Sequence, residues 1–193
     1  MSTKNVAAGG APRERLLAAA NELFYGEGIH TVGIDRVIER AGVAKASLYS
    51  AFGSKDALVR AYLEARHEAR KARIMKKVAT CDTPRARLLS VFDALHDSIG
   101  ESRFRGCAFL RASAEGRTQR GVRDACEDAR RWTRGLFTEL ATAAGARQPK
   151  RLAAELVLLY DGATVSAQMD DARDAALTAR AVAATLLDAA TVR

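Results

Sequence analysis

The sequence predicts an all-α protein of about nine helices, and three observations carry that reading. Alanine is abundant, and only three prolines punctuate 193 residues, at Pro12, Pro84 and Pro149, so long stretches contain no helix breaker. Between those prolines, apolar residues recur at intervals of three and four, the spacing of one helix face. One stretch, Ile34 to Lys55, has the pattern of two short helices joined by a tight turn, with a sharp exit into a third.

Taken in order, residues 1–11 (MSTKNVAAGGA) lack the apolar segment of a signal peptide and read as a disordered tail. Pro12 opens the first helix at a position where its missing N–H costs little. Leu16, Leu17, Ala20, Leu23 and Phe24 give that helix one apolar stripe, and Gly26 and Gly28 end it. Ile34, Val37, Ile38 and Ala41 repeat the spacing over a second, shorter helix. Gly42 supplies the permissive backbone of a turn, and Val43 plugs the gap between the helices. A third helix, about Ala44 to Phe52, offers only Leu48 and Phe52 to a core. Its other face shows Lys45, Ala46, Ser47, Tyr49 and Ser50. Small groups allow close approach to DNA, hydroxyls and the Tyr tip bond phosphate oxygens or base edges, and Lys adds charge. A surface αα-hairpin with a chance basic residue is the plainer alternative.

The stretch AGVAKASLYSAFGSKDAL resembles the signature of the tetracycline-repressor (TetR) family of bacterial transcription regulators over roughly residues 11–65. The resemblance implies a three-helix DNA-binding domain over 12–56 and a helical effector-binding and dimerisation domain over 57–193. It implies DNA contacts from Thr31, Arg36, Ala44, Lys45, Ala46, Ser47, Tyr49, Ser50 and Lys55. Three departures stand out, one being Ser50 and Ala51, where relatives often carry His, Asn or an aromatic that touches backbone or bases. Relatives place a hydroxyl at the start of the second helix, whereas Thr31 sits early. They often cap the recognition helix with Ser, whereas Ala44 cannot cap.

Ser54 is the expected cap of the fourth helix, with Asp56 in its first turn and Lys55 beside the free N–H groups. Leu58, Tyr62, Ala65, Ala69, Ala72, Met75 and Ala79 then mark its inner stripe, leaving Arg66, Arg70, Lys71 and Arg73 among the charges outside. Thr83 and Pro84 start a fifth helix with Leu88, Leu89, Phe92, Leu95 and Ile99. In GESRFRGCAFLRASAEG the pattern breaks and restarts, and Gly106 lets the chain turn before a short sixth helix. A seventh runs from about Val122 to Ala144 and an eighth from Lys150 to Gln168. The ninth runs from Ala172 to Thr191.

Charge is unevenly placed. Of the net +8, residues 1–80 hold 14 Lys and Arg against 8 Asp and Glu, a net of +6. That asymmetry points to a polyanionic partner for the N-terminal part. An enzyme needs a base with tuning neighbours. The only histidines are His30, His67 and His96, with no phosphate-cradling glycine loop and no metal-ligand cluster. Cys81, Cys107 and Cys126 lack metal spacing and read as reduced thiols of a cytoplasmic protein, a redox sensor being the alternative. No run of about 18 apolar residues is present, so no membrane helix is expected.

The function expected from the resemblance is a ligand-responsive repressor on the bacterial nucleoid, without metal or other cofactor. It would release a palindromic double-stranded operator when a small molecule binds its C-terminal domain. A DNA-binding protein without effector, architectural or constitutive, is the second reading. Phe92, Leu95, His96, Phe104, Cys107, Phe109, Leu110, Trp132, Phe137, Tyr160 and Gln168 are the expected ligand-lining residues. A homodimer is expected through the last two helices, by way of Leu152, Leu156, Leu159, Ala163, Ala179, Val182, Ala183 and Leu186.

Overall fold

The computed structural model describes residues 10–116 and 119–191, so most of the expected tail over 1–11 lies outside the described residues. Among the described residues there are nine helices and no strand. They are α1 (Pro12–Glu27), α2 (Ile34–Ala41), α3 (Lys45–Phe52), α4 (Lys55–Ala79), α5 (Pro84–Ile99), α6 (Ala108–Glu115), α7 (Arg120–Ala143), α8 (Pro149–Met169) and α9 (Ala175–Thr191). All three prolines stand at the first helical position, where no N–H is missed. The expected caps form: the Ser54 hydroxyl accepts from the Ala57 N–H at 3.1 Å, and Thr83 accepts from Ala86 at 3.1 Å.

The chain divides into two compact units, and the division is not the expected one at residue 56/57. The first unit runs to His67 and takes back Ala108–Asp128 from later in the chain. Its core explains why. Leu16, Phe24, Val37, Leu48, Leu58 and Tyr62 share one buried cluster with Ala108, Ala112 and Val122. Gly42, at φ +62°, is the left-handed hinge between α2 and α3, and the Val43 N–H closes the turn on the Ile38 carbonyl at 3.3 Å. Val43 packs against the same core, as the sequence suggests. Arg15 of α1 donates from Nη1 to the Gly42 carbonyl at 3.2 Å, which ties the turn to the first helix.

The second unit holds Glu68–Cys107 and the chain from Ala129 onward. The inner faces of α5, α7, α8 and α9 build its core, with Ile74 and Val78 of α4. Phe92, Phe137 and Tyr160 meet at its centre with centroid separations of 5.7, 6.2 and 6.2 Å. Burial pushes the Tyr160 phenol above its ordinary value, since desolvation penalises the phenolate.

The C-terminal half of α4 corrects the expected stripe. Ala69, Ala72, Met75 and Ala79 are exposed, whereas Ile74 and Val78 are buried. Arg70 is partly buried with them. It donates from Nη2 to the Ala129 carbonyl and to Thr133 Oγ1, both at 3.2 Å, and lies over the Trp132 ring. A long guanidinium stem can line a core while its tip finds acceptors. Arg66 is not free-standing either, since it stacks 3.7 Å from the Tyr25 ring centroid within the first unit.

Candidate nucleic-acid interface

The helix α3 is only eight residues long, and Leu48 is its single buried side chain. One anchor suffices to fix its rotation, because the neighbouring residues then point outward by the 100° helical step. Ala44, Lys45, Ala46, Tyr49 and Ser50 are exposed accordingly, Tyr49 at 47 %, while Ser47 is half-buried. Ala44 occupies the N-cap with no side-chain bond, so the first amides of α3 are left to other acceptors. Lys55 is half-buried at the first position of α4, beside the Ser54 cap. The remaining two expected DNA contacts are less direct. Thr31 is exposed in a turn, but Gly33 is the N-cap of α2, so Thr31 does not cap it. Arg36 is exposed and held in a two-pronged pair with Glu27 at 2.7 and 2.9 Å.

Electrostatically, each cation of α2 and α3 arrives with a carboxylate. Arg36 pairs with Glu27, Arg40 with Glu22, and Lys45 Nζ with Asp35 Oδ1 at 3.0 Å. The hydrogen bond to Asp35 and its charge hold the Lys45 ammonium above its usual range, and the bond from Arg36 holds the Glu27 carboxyl below its own. These pairs are solvated, so they direct side chains more than they stabilise the fold.

Two polar ties join α6 to the end of α1 inside the same unit. The His30 N–H donates to Glu115 Oε2 at 2.9 Å, and His30 Nε2 donates to the Glu115 carbonyl. Arg111 Nη1 donates to the Tyr25 carbonyl at 2.7 Å. No sequence pattern pairs His30 with Glu115, 85 residues away, so this tie is a finding of the structure.

The expected ligand-lining residues fall into different environments. Phe92, Leu95, Phe137 and Tyr160 are buried in the second unit's core, with Phe104 and Trp132 packed partly buried against it. Cys107 and His96 are half-buried, and the Gln168 side chain lies over Gly106, whose φ is +83°. Phe109 and Leu110 belong to the first unit instead. Phe109 meets the His67 ring edge-on at 6.0 Å, and Leu110 is 52 % exposed. Among the described residues, no group of three His, Cys, Asp or Glu is placed to hold a metal ion.

The expected dimer residues also separate. Leu152, Leu156, Ala163, Ala179 and Ala183 are buried in their own chain's core, so they are not available to a partner. Their burial follows from α8 and α9 packing on each other and on α5. Leu159 and Leu186 are half-buried, and Val182 is exposed. The structure adds outward apolar residues that the sequence reading passed over: Leu158 at 69 % and Met169 at 77 %, with Leu177 exposed as well. Helix α8 thus has two apolar faces, Leu152, Leu156 and Ala163 inward, Ala154, Leu158 and Met169 outward with Val165 half-buried beside them.

Comparison with known proteins places these observations. The family model described as bacterial regulatory proteins, tetR family, matches residues 16–62. The HTH-type transcriptional activator FasR of Mycolicibacterium smegmatis is 36 % identical over 87 residues, 45 % of this chain and 40 % of that protein. The HTH-type transcriptional regulator LmrA of Bacillus subtilis is 38 % identical over 73 residues, 37 % of each. The chain therefore spans about two fifths of the length of the curated relatives it matches. Among solved structures, SCO4454, a TetR-family transcriptional regulator from Streptomyces coelicolor, is similar over nearly its whole length. It has TM-score 0.88, 32 % identity, and coverage of 94 % of this chain and 96 % of that one. No helix among the described residues is long and apolar enough to cross a membrane.

Proposed function

The chain belongs to the TetR family of bacterial transcription regulators, and on that premise we propose that it is a ligand-responsive repressor acting in the bacterial cytoplasm. The observation that carries the reading is the outward face of α3. There Lys45, Ala46, Tyr49 and Ser50 stand exposed over a single buried anchor. Such a face suits a major groove, because small side chains admit the helix and the polar tips read phosphates and base edges. Lys45 and Lys55 are the proposed phosphate or base contacts. Thr31 and Arg36 stand at the margin of this surface.

Two copies are needed to read a palindrome, with half-sites about 34–36 Å apart. The outward faces of α8 and α9, with Leu158, Leu159, Val182 and Leu186, are the proposed self-complementary contact. A small molecule that binds the second unit better in one arrangement of the dimer shifts the population away from the DNA-competent one. Helix α4 supplies residues to both units, which makes it the proposed path for that coupling.

The test is selection of bound duplexes from a random library by the purified protein. A palindrome with half-sites about 10 base pairs apart is the expected result, and binding that falls when Lys45 and Lys55 are both changed to Ala. A library that yields no enriched sequence would leave only the effector-free, nonspecific reading. Thermal shift against candidate ligands, followed by release of the selected duplex, tests the ligand-responsive part.

A further inference from the structure

Resting on the reading of α3 as the DNA-contacting helix, we propose that Asp35 is a specificity-determining residue that withholds Lys45 from DNA lacking the operator sequence. Lys45 is the only cation of α3. Its ammonium sits 3.0 Å from Asp35 Oδ1, and both side chains are open to solvent, Lys45 at 60 % and Asp35 at 84 %. Asp35 lies in the first turn of α2 and Lys45 at the first position of α3, so the pair bridges the two helix starts beside the reading face. Tyr49, one turn further along α3, is exposed on that same side.

An exposed pair of this kind contributes little to stability, so holding the fold together is a weak reason for it. Its effect on DNA binding is larger. A phosphate contact gains mainly by releasing a counterion. A lysine held by its own carboxylate displaces few cations from the DNA, because the Lys45–Asp35 pair brings no net charge to the phosphates. On random DNA, where α3 rests loosely on the backbone, the carboxylate at 3.0 Å outcompetes a more distant phosphate. On the operator, base contacts by Tyr49 and Ser50 seat α3 deeply, and Lys45 exchanges Asp35 for the DNA. The carboxylate thus weakens binding everywhere except where the sequence fits, which is how a repulsive element raises a specificity ratio. The other two cations of α2 and α3 have partners on α1, Glu22 and Glu27. Asp35, by contrast, reaches the cation of α3 from within the helix-turn-helix pair itself.

The experiment measures binding of the full chain to a random-sequence duplex of about 30 base pairs by fluorescence anisotropy, across a salt series. Asp35→Asn should bind it about three- to tenfold tighter than the unmutated protein, with a log–log salt slope steeper by about one unit. The gain should vanish in Asp35→Asn, Lys45→Ala. Unchanged or weaker binding by a folded Asp35→Asn variant overturns the proposal, and so does a gain that survives the loss of Lys45. Should Asp35→Asn fail to fold, Asp35→Ser takes its place, with the same gain and the same steepening expected, and a folded variant without them overturns the proposal. If the unmutated protein binds no duplex even at low salt, the DNA-binding reading itself fails. If it binds and Asp35→Asn behaves identically, only the role of Asp35 fails.

Discussion

Leu48 and Tyr49 are adjacent in sequence and opposite in environment, so a pair of substitutions tests the rotation of α3 directly. Leu48 is fully buried and is the sole buried anchor of its helix. Leu48→Ala removes three carbons from the core. At about 0.8 kcal/mol per methylene the transfer loss is about 2.4 kcal/mol. A residual cavity adds to this, giving a total of about 2–5 kcal/mol. For a chain of this size that is a fall in melting temperature of roughly 5–20 °C. Tyr49→Phe removes only a hydroxyl from a side chain that is 47 % exposed, so stability should change by less than about 0.5 kcal/mol. If the hydroxyl bonds DNA, operator affinity should fall by about three- to tenfold. Thermal melts followed by fluorescence anisotropy on the selected duplex measure both quantities. A destabilised Tyr49→Phe protein beside an undisturbed Leu48→Ala protein would mean that the reading face is misassigned.

Three further outcomes follow from other parts of the chain. Gly106→Ala places a side chain at φ +83°, where L-residues lose about 1–2 kcal/mol, and its Cβ would also displace the Gln168 side chain, so its thermal melt should fall by at least a few degrees and a neutral result would refute the strain. Val182→Glu, on the outward face of α9, should leave the fold intact and convert a dimer to a species of 20.7 kDa by sedimentation, whereas Ala183→Glu, fully buried, should unfold the chain; an unmutated protein that sediments as a monomer would refute the dimer. The two-pronged bond from Arg85, at 2.9 Å to each oxygen, holds the Asp188 carboxyl below its ordinary 3.8. Because the folded value is depressed, the pair's contribution is present above that ordinary value and is lost as the pH falls through the lower one. NMR titration of Arg85→Gln should show Asp188 moving upward, and an unmoved titration would break the assignment.

Legibility of the sequence varied with the kind of signal. Ser54, Thr83 and the three prolines specify helix starts through local chemistry, and the structure places the starts there. Gly42 and Leu48 fix the turn and the rotation of α3 in the same local way. The second half of α4 was read wrongly because alanine commits to neither face. A run of Ala69, Ala72 and Ala79 gives a period without a preference, and Ile74 and Val78 decided the outcome. The expected dimer residues divide between buried and outward positions for a related reason. Helical spacing on α8 is satisfied by either of two apolar faces, and nothing local says which one the chain's own core takes. His30 and Glu115 were invisible, since a bond across 85 residues leaves no local trace.

The discontinuity of the first unit has a consequence for synthesis. Its core needs Ala108, Ala112, Val122 and Ala125, yet its DNA-reading helices are complete by residue 67. A ribosome adding about 5–20 residues per second takes several seconds to deliver the missing segment. Throughout that interval Phe24, Ile29 and Tyr62 lack part of their cover. It is the second unit's residues 68–107, not the head's own missing segment, that emerge next. A fragment ending at His67 would lack those four residues, so a transplant of the reading helices should carry the segment that returns to them from beyond Cys107.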